Sequence, residues 1–221
     1  MPTKQTFTSV WSRPATPKPV REQPALSRDQ IVRAAIELLD SEGLDALSMR
    51  KLGTRLGAGA TSIYWHVSNK EQLLELALDE VYGEVQVPDP VKAGWRDTAA
   101  VFAYGLRNAM LRHPWSVMLI GSMPSLGPNA LAASSMLTDA MELAGFTGLT
   151  LDYAVGAVLS YTLGATTPEA SWMNTIGRSA VDQGEWMKNL REQLQVAAAD
   201  HPKLLARYTD YEKLDRDQTR T

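Results

Sequence analysis

Apolar positions recur at helical spacing along most of this chain, and the recurrences break where helix-stopping residues stand. Order is predicted to begin at Ser27. Ser27 and Gln30 have the spacing of a capping box, and Ile31, Ala35, Leu38 and Leu39 then share one face up to a stop at Gly43. Ser48 is the expected cap of a second helix whose Met49, Leu52 and Leu56 turn inward, leaving Arg50, Lys51 and Arg55 to solvent or phosphate. Gly57, Ala58 and Gly59 supply a turn, since glycine enters the left-handed conformation that a tight helix-helix connection needs. A short third helix is predicted from about Ala60 to His66. Its Ile63 faces inward with Val67, which sets Thr61, Ser62, Tyr64, Trp65 and His66 around the outer surface. Ser68-Asn69-Lys70-Glu71 reads as a second capping box, opening a helix along Leu74, Ala77, Leu78, Val81 and Val85 that Pro88 and Pro90 close.

Past Pro90 the pattern stays helical. Trp95, Ala99, Phe102, Leu106, Met110 and His113 form one amphipathic face that Pro114 interrupts. Further helices are predicted over Asn129 to Leu143, ending at Gly145, and Leu149 to about Thr166. A mobile connection containing Pro168, Gly177 and Gly184 should then lead to a charged helix, Glu185 to Ala199, and Pro202 should restart a short one over Lys203 to Tyr211. No strand-like alternation bounded by turns and no fixed repeat occurs, so the fold class is all-α. Residues 1–25 hold five prolines, no apolar period and four cations, Lys4, Arg13, Lys18 and Arg21, against Glu22 alone. They read as a disordered arm, either a solvated tail or a strap along DNA phosphates or in a minor groove. The expected domains are this arm, a helix-turn-helix domain over 26–86, a larger helical effector-binding and dimerisation domain over 87–215, and a frayed tail over 216–221.

Composition narrows the chemistry. With no cysteine in 221 residues, disulfides, thiolate metal sites and cysteine nucleophiles are excluded, in keeping with a cytoplasmic protein. No secretory segment is visible, and the longest uncharged stretch, Pro114 to Thr138, carries too many prolines, glycines and serines to span a membrane. The formal net charge of −3 confines any nucleic-acid surface to a local patch. No nucleophile-elbow, zinc-protease or phosphate-loop motif is present, and His113 and His201 read as ordinary helix-end or surface residues. No enzyme activity, metal or cofactor is expected.

The stretch Leu47 to Lys70 is therefore the informative one: two short helices, a glycine turn, and a second helix too polar and aromatic outside to be core. Packing Tyr64, Trp65 and His66 inward would leave Leu52, Leu56, Ile63 and Val67 without a face of their own. Leu47 to Leu78, and above all SIYWHVSNKEQLL over residues 62–74, resembles the DNA-binding domain of the TetR family of bacterial transcription regulators. The resemblance covers roughly residues 27–85 and implies a helix-turn-helix reader of a double-stranded DNA operator. It places Arg50 where a second-helix arginine reaches guanine, Tyr64, His66 and Lys70 at positions that touch the DNA backbone, and Trp65 at one that packs on sugar or thymine methyl. Thr61 and Ser62 are short enough to approach base edges. Ala60 departs from the pattern, standing where the family's prototype has a longer polar side chain, so the operator sequence is not inherited.

For the remainder, composition points to a small-molecule effector. Between Pro114 and Gly177 only Asp139, Glu142, Asp152 and Glu169 are charged, while Trp115, Met118, Met123, Met136, Met141, Tyr153, Tyr161, Trp172 and Met173 supply adaptable apolar surface. With Phe102, and leaving Met136 aside, these are the candidate ligand-binding residues, each of which could equally be core. The family resemblance implies an inducer held in such a domain. Leu151, Val155, Val158, Leu159 and Thr162 form a nearly uncharged stripe, suited either to homodimer pairing together with the 185–199 helix or to packing within the chain. The expectation is a homodimeric, ligand-responsive DNA-binding regulator, a repressor released by an apolar or aromatic effector.

Overall fold

A computed structural model describes residues 9–12, 26–177 and 182–207. The α-helices bounded within them are α1 Arg28–Glu42, α2 Met49–Arg55, α3 Ala60–Tyr64, α4 Lys70–Gly83, α5 Pro90–Ala93, α6 Trp95–Arg112, α7 Pro128–Leu143, α8 Leu149–Gly177 and α9 Gln183–Ala197. No β-strand occurs among the described residues. Those up to Asn174 form one compact unit and those from Thr175 a second.

Local capping chemistry sets the starts. Ser27 Oγ accepts from the Gln30 amide and the Gln30 side chain accepts from the Ser27 amide, the expected reciprocal box. Ser48 caps α2 through the Lys51 amide. At α4 the box is shifted by one residue: Asn69 is the cap, accepting from Gln72 N at 2.8 Å, and the Gln72 side chain reaches back to Ser68 N. Asparagine wins because its carbonyl is already placed for the amide three residues on. Gly57, at φ +62°, makes the turn after α2, whereas Gly59 is extended and caps α3.

One apolar core runs from α1 to α7. Ile31, Leu38, Leu39, Leu52, Ile63, Leu73, Phe102, Leu106, Met110, Trp115 and Leu137 all have less than 2% of their surface exposed. Residue 87 therefore marks a change of sequence character inside a shared core. Through it passes α4, which packs on α1, α6 and α7. It also buries three polar residues, Gln72, Glu75 and Asp79. Asp79 serves α7: that helix starts at Gly127 without a side-chain cap of its own, and the Asp79 carboxylate accepts from the Asn129 and Ala130 amides at 3.3 and 3.0 Å. A carboxylate at a helix N-terminus satisfies orphan amides and meets the positive end of the dipole.

Glu75 corrects the reading of the arm. Residues Val10–Ser12 form a short 3₁₀ turn whose Val10 amide donates to Glu75 Oε2 at 2.7 Å, with Ser9 buried and Trp11 beneath the Arg28 guanidinium. Residues 9–12 are thus docked on α4, while Lys4, Arg13, Lys18 and Arg21 lie outside the described residues.

α8 departs most from expectation. It continues through Pro168 to Gly177, where a break at Thr166 and a mobile connection were predicted. Proline removes one backbone donor and costs about 3 kcal/mol in a helix interior. Tertiary anchors on both sides outweigh this, with Thr166 and Ala170 fully buried and Glu169 paired to Arg107 of α6 at 2.6 Å. Residues 202–207 are again helical, and the predicted helix beyond 207 and the 216–221 tail lie outside the described residues.

Candidate nucleic-acid interface

The reading surface is built on three fully buried residues. Leu52 of α2, with Ile63 and Val67 at and after α3, are 0–1% exposed and fix the two short helices against the core. Outside this base Arg50, Thr61, Ser62, Tyr64 and Trp65 are exposed, and His66 is half-buried. Trp65 has 83% of its surface in solvent, the highest value among the exposed large apolar side chains of the described residues, and Tyr64 has 51%. Exposure of that size is unfavourable for a hydrophobic indole unless another surface covers it. α3 ends at Tyr64, short of the predicted His66. The amides of His66 and Val67 both close onto the Ile63 carbonyl, so Trp65 and His66 project from a turn.

The cations of α2 divide. Arg55 pairs with Glu37 at 2.9 Å and Lys51 pairs with Glu42, both acids on α1, so two of the three side chains expected to be free for phosphate brace the helix pair instead. These exposed pairs add little stability. Arg50 makes no ion pair among the described residues and stands at a hollow of about 460 Å³ between α1 and α2. Lys70 donates to the Leu44 carbonyl at 3.0 Å, tying the α1–α2 connection to the start of α4, an engagement that spacing alone did not suggest. Gly53, which pattern reading passed over, is buried where α2 meets the turn. A β-carbon there would stand 2.8 Å from the Ala58 carbonyl oxygen. Its signal in sequence is a glycine inside a helix, which costs about 1 kcal/mol and so calls for a packing reason.

A test of the surface follows. Trp65→Ala should leave the unfolding free energy within about 0.5 kcal/mol, because no buried contact is lost. The same change should weaken binding to a selected duplex by roughly tenfold or more, as loss of a base or sugar contact does. Chemical denaturation and fluorescence anisotropy read the two quantities separately.

The candidate effector residues do not converge. Phe102, Trp115 and Met141 are core residues at 1, 1 and 3% exposure, and Trp115 donates its indole N–H to Asp40 of α1 at 2.6 Å. Met123 is half-buried, and Met118 is 60% exposed. Tyr153, Tyr161, Trp172 and Met173 lie on the solvent-facing side of α8, the tyrosines at 72 and 79% exposure. The stripe proposed for pairing faces the other way: Leu151, Val155, Val158 and Leu159 pack against the core and Thr162 is buried. Of the two roles open to the stripe, packing within the chain is the one the described residues show, while Tyr153 and Tyr161 face outward. Both faces of α8 are nearly uncharged, so no polar face marked the outside.

His113 is a second correction. Expected as an ordinary helix-end residue, it is buried, with Nδ1 2.7 Å from Asp40 Oδ1 and Nε2 3.0 Å from Glu84 Oε1. Burial pushes its pKa down, but hydrogen bonds to Asp40 and Glu84 and the charges of both outweigh this and hold it above the ordinary histidine value.

Comparison with known proteins agrees with the geometry. The family "Bacterial regulatory proteins, tetR family" matches residues 31–77, and "Tetracyclin repressor-like, C-terminal domain" matches residues 87–220. An HTH-type transcriptional regulator of Saccharopolyspora erythraea is 42% identical over 200 residues, covering 90% of this chain and 81% of its own. Among solved structures, the TetR family protein ActR of Streptomyces coelicolor in complex with actinorhodin superposes with a TM-score of 0.69 at 28% identity, over 83% of this chain and 84% of that one. BioQ with its natural double-stranded DNA operator gives 0.59 at 28% identity, over 66% of this chain and 88% of that one. These relatives are regulators, not enzymes. Two short helices on a buried base, a glycine-bearing turn, an outward aromatic pair, and family matches to both halves lead to one assignment: the chain belongs to the TetR family of bacterial transcription regulators.

Proposed function

We propose that this regulator is a homodimeric repressor whose two α3 helices enter successive major grooves of a pseudo-palindromic operator, with centres ~34 Å apart or a multiple of it. What carries the reading is the outward presentation of Arg50, Thr61, Ser62, Tyr64 and Trp65 on the Leu52, Ile63 and Val67 base. Arg50 offers a planar fork to guanine, Thr61 and Ser62 small groups to base edges, and Trp65 an apolar face to sugar or thymine methyl. Tyr64 and His66 position the helix on phosphate, and Lys70 retains donors beside the one given to Leu44.

Dimerisation is best served by the outer face of α8, where Leu149, Tyr153 and Tyr161 are each at least 70% exposed along three turns of one helix. A second copy covering that face would remove more apolar surface than the inner stripe has left to offer.

The effector is read as a small apolar or aromatic molecule with polar handles, bound among α6, α7 and α8. Arg107 of α6, whose Nη2 pairs with Glu169 of α8, has its other terminal nitrogen Nη1 buried and unpartnered, and such an atom favours a state in which a ligand or water completes it. The actinorhodin bound to ActR gives the chemical class to try first. Induction then requires that the effector bind one dimer geometry more tightly than the other, so repression and release are one coupling seen from two ends. The test uses actinorhodin and related aromatic compounds as probes. Weaker operator binding with a changed distance between spin labels on the two α3 helices supports the reading. Unchanged affinity and distance under a saturating bound probe would remove it.

A further inference from the structure

Where α1, α4 and α6 meet, the structure assembles a polar cluster that DNA reading does not use. His113 follows the last residue of α6. Its ring touches two carboxylates that come from elements far away in sequence: Asp40 in the last turn of α1 and Glu84, the residue that caps the end of α4. Both ring nitrogens face carboxylate oxygens at hydrogen-bonding distance. A carboxylate only accepts, and a neutral imidazole carries one N–H, so two such bonds require the doubly protonated ring. Asp40 Oδ1 also takes the Trp115 indole N–H at 2.6 Å, which fixes the carboxylate from a second direction. Glu84 Oε2 pairs with Arg112, holding its other oxygen toward the histidine. Glu80 of α4 lines the adjoining hollow of about 380 Å³ with Ile36, Asn129 and His113. Two acids, Asp40 and Glu84, touch the ring, while Arg112 pairs with Glu84 and Glu80 lines the same hollow.

The cluster bridges the parts of the protein whose relative position decides DNA reading. α1 packs on the reader helix α2, α4 carries the core across to α6 and α7, and α6 belongs to the region assigned to the effector. We propose that His113, gripped as a cation between Asp40 and Glu84, is an ionic latch through which the end of α6 holds α1 and α4, and that loss of its proton weakens operator binding. The proposal rests on the DNA-regulator reading above and adds a residue and a proton to it. The physical reason is pre-organisation. With the latch closed, α1 and α4 keep one orientation, and the reader helices meet DNA without first selecting it from several. With the ring neutral, one of its two contacts loses its hydrogen, and two carboxylates face each other across an uncharged ring.

The sign is fixed by linkage. A histidine whose folded pKa lies above its unfolded value contributes stability that is complete below the unfolded value, about 6.5, and is lost as pH rises through the folded one. Operator affinity should follow the same curve, falling about tenfold across it, a coupling of about 1.4 kcal/mol.

The experiment uses the full chain, a duplex recovered from a random pool as the DNA probe, and three variants. The His113 ring is followed by NMR against pH, its signal identified by its absence in His113→Gln. Wild type should titrate above about 6.5 and lose affinity across the same range. Glu84→Gln keeps an acceptor but removes a charge, so it should lower the titration midpoint and move the affinity curve down the pH scale by an equal amount. A merely structural role would not produce that matched shift. His66→Gln alters a residue placed on phosphate, so it should lower affinity at every pH while leaving the His113 midpoint unchanged. Titration of His113 at or below the ordinary value, or a Glu84→Gln curve superimposed on wild type, would overturn the latch. If no duplex is bound at any pH, the function reading and the latch's hold on DNA both fail. A loss of unfolding stability along the same curve would then belong to His113 alone.

Discussion

Gly53→Ala is expected to abolish sequence-specific DNA binding while most of the protein remains helical. A β-carbon at this buried position would lie 2.8 Å from the Ala58 carbonyl oxygen, 3.1 Å from Ala60 N and 3.4 Å from Gly59 C. All three are backbone atoms of the turn, held in place by the Ala58 amide donating to the Gly53 carbonyl at 2.9 Å. They cannot swing aside as a side chain could. The gain in helix propensity, about 1 kcal/mol, opposes the change, but overpacking against fixed backbone costs about 1–3 kcal/mol or more and is relieved only by splaying α2 from α3. An affinity loss of at least about a hundredfold is expected, since every base contact depends on that angle. Anisotropy with a selected duplex, beside circular dichroism, measures both parts. Retention of specific binding at wild-type strength would show that the turn is looser than described.

The second large effect is placed at the joint between α4 and α7. A β-carbon on Gly127 would stand 2.1 Å from Asp79 Oδ1 and 2.7 Å from Asp79 Cβ. Asp79 has no room to retreat, being 5% exposed and bonded to two amides at the start of α7, while Asn129 Nδ2 holds its backbone carbonyl. Gly127→Ala should therefore lower the unfolding free energy by about 3 kcal/mol or more, combining steric strain with exposure of the amides that Asp79 now satisfies. Asp79→Asn, which keeps an acceptor and the shape but loses the charge, should cost about 1–2 kcal/mol. Urea unfolding of the pair orders them. A Gly127→Ala protein as stable as wild type would mean that α7 is not anchored through this carboxylate.

What could be read from sequence was local. Ser27 with Gln30, Ser48, Gly57 and the inward face of α6 each depend on residues within a few positions of one another, and each appears as expected. The reader itself was legible for the same reason, because Ile63 and Val67 can face inward only if Thr61, Ser62, Tyr64 and Trp65 face out. Three kinds of feature were not legible. Asp40 and His113 stand 73 residues apart, and nothing at either site announces the other. Pro168 carries a strong local stop signal that Thr166, Ala170 and the Arg107–Glu169 pair override through packing. α8 has apolar residues on both sides, so periodicity gave its existence but did not decide between pairing and intrachain packing for the Leu151 to Thr162 stripe, which packs inward while Tyr153 and Tyr161 face out.

The arm gives a smaller instance. Proline content argues against regular structure, yet Val10 and Trp11 dock in a short 3₁₀ turn because Glu75, buried on α4, accepts a backbone N–H from Val10, and Trp11 lies beneath Arg28. A buried carboxylate is costly without a donor, so the donor's origin was a question the sequence of α4 alone could pose but not answer.

In the proposed complex α3 and its neighbours read DNA as a symmetric pair. Selection of duplexes bound by the full chain from a random pool tests this most directly. The predicted result is enrichment of two inverted half-sites whose centres lie about 34 Å or a multiple of it apart, with that enrichment lost in Arg50→Ala. Recovery of no enriched sequence, or of a single site without two-fold symmetry that Arg50→Ala binds equally well, would contradict it.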